Sequence, residues 1–260
     1  MVQIVVLLKA VPVVGNERLV DGWSVDRSSG LEANGNDEYV LEAALKLVEA
    51  HGGEVVTLTM GPASSVEAIR KALAMGAARA VQVVDDALAG SDALATGRVL
   101  AAALGRLEYD LAVAGADTSD GQGGVVGAAV ATRLGLPYLS YAASIEPDPA
   151  AGVVRVRRIS PTGYDVIEAR MPAFIAGTQL LGEPRYPSLR GIMQARSKPI
   201  ATWSLADLGI DPASVGTAAS RTAVHEATPP PQRAGATIVR DAPDAAVERI
   251  VEFLASRRLI

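Results

Sequence analysis

The property of this sequence that most constrains its fold is a series of short, almost continuously apolar runs separated by helical patterns. The runs are Ile4–Leu8, Val55–Met60, Ala80–Val84, Leu111–Ala114, Tyr138–Ala143 and Ala173–Ala176. A strand with one wet face alternates apolar and polar residues, whereas a strand covered on both faces reads as an unbroken apolar run. Between the runs, Asp37–Ala50 places Val40, Leu41, Ala44, Leu45 and Val48 on one helical face. Ser64–Met75 and Ser91–Leu107 behave alike, with Ser64 and Ser91 as expected N-caps. Strand and helix in alternation predict a Rossmann-like α/β fold: three layers, α/β/α, around a mainly parallel sheet. Hydrophobic residues make up 49% of the 260 and aromatics only 4%, so the core is built from small aliphatic side chains that let helices sit close to the sheet.

The pattern changes at Val153–Ile159, where apolar and basic residues partly alternate, and Ser160-Pro161-Thr162-Gly163 turns the chain into Tyr164–Ala169. This predicts a β-hairpin inserted in the fold, with one face toward solvent. The reading divides the chain into an α/β domain over 1–208 and a Pro-rich arm over 209–260. The arm contains Thr228-Pro229-Pro230-Pro231 and is too polar to build a core of its own. An amphipathic helix near Asp244–Ser256, with Val247, Ile250, Val251 and Leu254 on one face, is expected to pack either on the chain's own body or on a partner subunit.

Several function classes are disfavoured at once. A net charge of −5 with mixed signs provides no basic field for nucleic acid. The absence of cysteine removes thiolate catalysis and Cys-based metal sites, and His51 and His225 are far apart in the chain. No Ser/His/Asp set or clustered carboxylate pair suggests a catalyst, so bond chemistry is not expected. The N-terminal Met1–Lys9 reads as a first strand rather than a leader, and no apolar run approaches the roughly 18 residues of a membrane span. A cytoplasmic protein is expected.

Two stretches carry functional signals. After Leu111–Ala114 come Gly115, Ala116, Asp117, Thr118, Ser119, Asp120, Gly121, Gln122, Gly123, Gly124, Val125, Val126 and Gly127, then a helical Ala128–Leu134. A glycine-rich turn between strand and helix lets backbone N–H groups approach an anion, and the helix N-terminus favours negative charge. Thr118, Ser119 and Gln122 add donors, while Asp117 and Asp120 suit ribose hydroxyls or a helix cap. The alternative is a polar connecting loop that binds nothing, since the spacing is not G-x-G-x-x-G. Lys9–Pro12, Asn34–Glu38 (with Asn36 or Asp37 as a cap) and Met60–Ala63 also follow strands or precede helices, so they gather at the same rim. The second stretch is Glu183-Pro184-Arg185-Tyr186 with Pro187–Met193 and the basic Arg196-Ser197-Lys198, which has the makings of a partner-docking loop.

Taken in order, these stretches resemble the electron transfer flavoprotein beta subunit along nearly the whole chain. The resemblance rests on Lys9-Ala10-Val11-Pro12, Asn34–Tyr39 with Glu42–Leu45, and Gly61-Pro62 with Ile69–Ala77. It rests also on Met171-Pro172-Ala173 and on Glu183–Tyr186 with Gly191–Ala195. It implies a heterodimer with an alpha subunit that holds most of one FAD, and an AMP bound structurally in this chain. Carried over by position, Ala10, Asn36, Met60 and Asp117–Gly127 would contact AMP. Tyr186–Ala195 would dock acyl-CoA dehydrogenases, with Leu189 as the anchor and Tyr186, Ile192 and Met193 beside it. Electrons would pass on to a membrane quinone oxidoreductase. The basic tail after the loop is thinner than the family's K-A-K-K-K, which weakens steering, and Val125 stands where several members have Gln. Some relatives hold a second FAD at the AMP position. Among other folds of this class, a universal-stress-protein-like adenine-nucleotide module is the alternative, although it leaves Glu183–Met193 unexplained.

Overall fold

The computed structural model describes all residues except Asn16, 21–23, Ser29, 229–234, Thr237 and Asp241. The triple-proline run of the arm therefore lies outside the described residues. Two compact units emerge, Met1–Val224 and His225–Ile260. The first includes residues 209–224, which the sequence reading assigns to the arm: Ile210 and Val215 are buried in its core. The second contains the amphipathic helix, observed over Pro243–Ser256.

In chain order the strands are β1 (Val2–Leu7), β2 (Ala10–Pro12), β3 (Leu19–Val20), β4 (Ser24–Val25), β5 (Leu31–Ala33), β6 (Gly53–Met60) and β7 (Arg79–Val83). They continue with β8 (Leu111–Gly115), β9 (Tyr138–Asp148), β10 (Val153–Ser160), β11 (Gly163–Arg170), β12 (Ala173–Gly177) and β13 (Ile200–Trp203). The helices are α1 (Gly35–His51), α2 (Val66–Met75), α3 (Ala93–Leu104), α4 (Val126–Leu134), α5 (Leu189–Ala195), α6 (Leu205–Leu208), α7 (Gly216–Ala219) and α8 (Pro243–Ser256). A nine-stranded sheet runs β11-β10-β9-β12-β8-β1-β6-β7-β13. Neighbours from β9 through β13 pair in parallel, and the hairpin β10–β11 adds the antiparallel edge. The three-layer, mainly parallel architecture is the one expected.

The sheet has a core on each side, which explains the unbroken apolar runs. Val2, Ile4 and Val6 of β1 face a cluster with α1 and α2, whereas Val5 and Leu7 face one with α3, α4 and α6. Gly97 of α3 lies against Ala129 of α4, where an added Cβ would come to 2.8 Å of the Ala129 methyl. Small residues thus set the close approach of these helices.

Strand order reverses next to β1. Following the chain, β1 leads through α1 to β6 on one side, while β8 lies on the other. The ends of β1 and β8 are neighbours, and open α/β sheets bind ligands where order reverses in this way.

Three expected caps are corrected. Ser64 donates its hydroxyl to the Arg27 carbonyl at 2.7 Å and caps nothing. Asp92, not Ser91, caps α3 by accepting from Leu94 and Ala95 N–H, while Ser91 accepts from Gly216 N–H. The N-cap of α1 is Asn34, with no side-chain capping bond, because the Asp37 carboxylate is drawn inward.

Candidate functional site

The rim at the ends of β1 and β8 is cross-linked by polar side chains. Asp37, fully buried at the start of α1, accepts from Lys9 N–H at 2.8 Å through Oδ2 and from Gly115 N–H at 3.0 Å through Oδ1. One carboxyl thereby holds the exits of both strands against α1. Burial pushes its pKa up to about 7, against the opposing pull of those two N–H groups, Asn34 and the Lys9 charge. Gly115 must be glycine for this packing: a Cβ there would lie 2.6 Å from Asp37 Oδ1 and 2.7 Å from Asn36 Cβ.

Asn34 fastens the next stretch of loop. Its Nδ2 donates to the Asp117 carbonyl at 3.0 Å and its Oδ1 accepts from Ser119 N–H at 3.1 Å. Asn36 Nδ2 donates to Asp117 Oδ1. Asp120 Oδ1 accepts from Lys9 Nζ at 2.8 Å and its Oδ2 from Arg27. Burial would raise the Asp120 pKa, but the bonds and charges of Lys9 and Arg27 prevail and hold it at about 2.

Beyond Asp120 the backbone opens. From Gly123 to Ala128 no backbone N–H finds an acceptor among the described residues, and this run leads directly into α4. Gln122 and Gly124 take positive φ, 46° and 61°, which bends the glycine segment back toward the helix. Consecutive free donors at a helix N-terminus are what an anion requires.

On the α1 side of the same rim lies a groove of about 530 Å³. It brings together Asn36, Asp117, Thr118, Ser119 and Gln122, all expected from the sequence, with Asn34 among its other walls. Ala10, Gly121 and Gly123–Gly127 lie outside its lining, as do Met60 and Asp120. Ala10 is buried among the α1-side residues, and Met60 packs on the α3 side. Gly121 and Gly123–Val125 are exposed, whereas Val126 and Gly127 are half-buried.

A second constellation lies at Glu183–Met193. Arg185 Nε donates to Glu42 Oε2 at 2.7 Å, and its two terminal nitrogens reach Glu42 Oε1 and both oxygens of Glu49. Arg185 N–H also donates to Glu42 at 3.2 Å. The segment is thus forked onto α1, and the two carboxylates raise the Arg185 pKa further. After it, the expected loop is the short helix α5, capped by Ser188, which accepts from Gly191 N–H at 3.0 Å. Gly191 packs against the Ala74 carbonyl of α2, leaving no room for a side chain. On this anchored base Tyr186 is 95% exposed, Leu189 76%, Met193 66% and Ile192 46%.

Comparison with known proteins decides the family. The model for the electron transfer flavoprotein domain matches residues 22–208. The electron transfer flavoprotein subunit beta of Mycobacterium leprae is 38% identical over 100% of both chains. That of Clostridium acetobutylicum is 34% identical, covering 86% of this chain and 87% of its own. The caffeyl-CoA reductase-Etf complex subunit CarD of Acetobacterium woodii is 36% identical over 79% of each. The chain belongs to the electron transfer flavoprotein family, as a beta subunit. A full-length match of this kind displaces the stress-protein-like alternative.

For this beta subunit, Lys9, Arg27, Asn34 and Asp37 organise the rim, a role that sequence reasoning did not assign them. Lys9, Asn34 and Asp37 stand in the quoted motifs, but Arg27 lies in an irregular stretch whose pattern carries no signal. The basic tail also differs from expectation. Lys198 Nζ donates to the Leu73 and Ala77 carbonyls at 2.9 and 2.6 Å, closing the end of α2, and burial lowers its pKa. Arg70 returns from α2 to the Ala195 and Lys198 carbonyls. Lys198 is therefore a structural clasp rather than a steering charge.

Proposed function

We propose that this chain is the non-catalytic beta subunit of a heterodimeric electron transfer flavoprotein, which binds AMP structurally and presents Leu189 to dehydrogenases. The partner is an alpha subunit that holds most of the FAD. Acyl-CoA dehydrogenases and related dehydrogenases are the donors, and a membrane quinone oxidoreductase is the acceptor. The α8 helix, with Val247, Ile250 and Val251 exposed, packs on the alpha subunit in this reading. When bound, the flavin supplies the one-electron chemistry. This chain contributes docking, orientation and a nucleotide rim, and makes or breaks no bond itself.

The observation that carries the reading is an apolar group exposed on a rigid base: Leu189, Ile192 and Met193 are outward on α5, which Arg185, Gly191 and Ser188 lock onto α1 and α2. A preordered apolar side chain loses little entropy on entering a partner's pocket and makes a good anchor.

The residues present suit AMP. The free amides of Gly123–Ala128 match a phosphate, and Asp117 and Thr118, which line the groove, carry the carboxylate and hydroxyl that suit ribose. Of the other positions carried over from the family, Asn36 lines the groove, whereas Ala10 and Met60 do not. A mononucleotide bound through several such bonds needs about 8 kcal/mol for micromolar affinity, well beyond the 0.3–1 kcal/mol of a helix dipole alone.

The test is the heterodimer, co-expressed with an alpha subunit and purified. Mass spectrometry of the released ligands should find AMP and FAD in equal amounts. Two flavins and no AMP would assign the rim to a second FAD, and a colourless preparation would overturn the function.

A further inference from the structure

Asp120 stands out because its carboxylate is used up inside the protein. Its side chain is 2% exposed, with one oxygen on Lys9 Nζ at 2.8 Å and the other on Arg27. Both cations are themselves fastened. Lys9 Nζ donates to Thr118 Oγ1 at 3.3 Å, and Arg27 donates to the Ala10 carbonyl at 2.8 Å. Arg27 also accepts from Ser64 through its carbonyl at 2.7 Å. The middle of the glycine loop is thus tied to the exit of β1 and, through Ser64, to the turn before α2. Gly121 sits directly on this knot, since a Cβ there would lie 3.3 Å from Thr118 Oγ1 and 3.6 Å from Lys9 Nζ.

The loop requires such a tie. Gly121, Gly123 and Gly124 lose the most backbone freedom on ordering, and the free amides of Gly123–Ala128 have no partner to hold them in place. Asn34 secures the loop only as far as Ser119. We propose that Asp120, acting through Lys9 and Arg27, is a positioning residue that sets the loop shape in which Gly123–Ala128 present their amides together to a nucleotide phosphate. This rests on the reading of the rim as an adenylate site.

Two consequences of Asp120 oppose each other, and that makes the idea testable. A carboxylate near a phosphate site repels the phosphate, so if charge were its main effect, Asp120→Asn would tighten AMP binding by unmasking Lys9 and Arg27. If Asp120 is a tie, the same change loosens the loop and weakens binding.

The experiment uses the purified heterodimer and calorimetric titration with AMP and with adenosine. Asp120→Asn and Arg27→Gln should each weaken AMP about tenfold, a difference of about 1.4 kcal/mol. The double variant should be no weaker than the worse single one, as for residues acting as a unit. Adenosine, which lacks the phosphate, should bind nearly as before. Unchanged or tighter AMP binding in Asp120→Asn overturns the proposal, and so does an equal loss for adenosine, which would make Asp120 a ribose contact. Hydrogen exchange without nucleotide separates this from the AMP reading. Amides 121–128 should exchange faster in both variants than in the wild type. If they do so while no form binds AMP, the tie stands and the adenylate reading fails; if exchange is unaltered, the tie is refuted.

Discussion

Asp37 shows at the residue scale how one buried carboxyl joins two strand exits to a helix. Its pKa, up at about 7 through burial, lies above the ordinary carboxylate value near 4. Between those values the folded chain keeps a proton that the unfolded chain has released. The contribution of Asp37 to stability is therefore full below about pH 4 and declines as pH rises toward 7. The Asp120 carboxyl, held at about 2, works in the opposite direction and outside that window: its contribution is present above about pH 4 and is lost on acidification toward 2. Asp37→Asn leaves one of the two N–H groups, from Lys9 or Gly115, without an oxygen. The expected cost is about 1–3 kcal/mol at pH 5, the price of a buried unpaired donor. The gap to wild type should narrow by pH 8, where the wild-type carboxylate is charged. Urea unfolding at both pH values checks this, and a gap that widens would show Asp37 to be an ordinary ionised acid.

At the scale of elements, α5 divides its work between a fixed back and an exposed front. Leu189→Ala trims only an exposed side chain, so stability should change by less than about 0.5 kcal/mol, as for surface substitutions generally. Electron transfer from a docked acyl-CoA dehydrogenase should nevertheless slow, with flavin content unchanged. A stability loss beyond about 2 kcal/mol would make Leu189 a core residue and end the docking reading. Arg185→Lys acts from behind. It keeps the charge but loses the fork that spans Glu42 and Glu49, and it leaves the almost fully buried Glu42 short of donors. It should slow transfer as Leu189→Ala does, and should also cost about 1–3 kcal/mol of stability. Stopped-flow reduction beside thermal melting distinguishes the two variants: equal rates in wild type and Arg185→Lys would mean that the fork does not position the front.

For the whole molecule, both core clusters lie within Met1–Val224, and no buried hydrophobic residue follows Val215 among the described residues. A chain ending at Val224 should accordingly melt cooperatively at nearly the wild-type temperature in circular dichroism, while its yield of heterodimer falls. Normal assembly without residues 225–260 would remove the arm from the interface. Much of this architecture was legible beforehand. The six apolar runs became β1, β6, β7, β8, β9 and β12, and the basic-apolar alternation became the hairpin β10–β11, because strand periodicity and double-sided burial are local properties written along the chain. The short strand β13, pairing with β7, was not legible, since Ile200–Trp203 is brief and its strand character comes from a neighbour far away in sequence. The motifs at Asn34–Glu38 and Glu183–Met193 made the family legible, because residue type and order carry family information. Only the folded chain decided which side chains meet: Arg27 with Asp120, Asp37 with Lys9 and Gly115, Arg185 with Glu42 and Glu49. Those partners are separated by tens of residues or more, and no local pattern encodes a contact that exists only once the sheet has set its strand order.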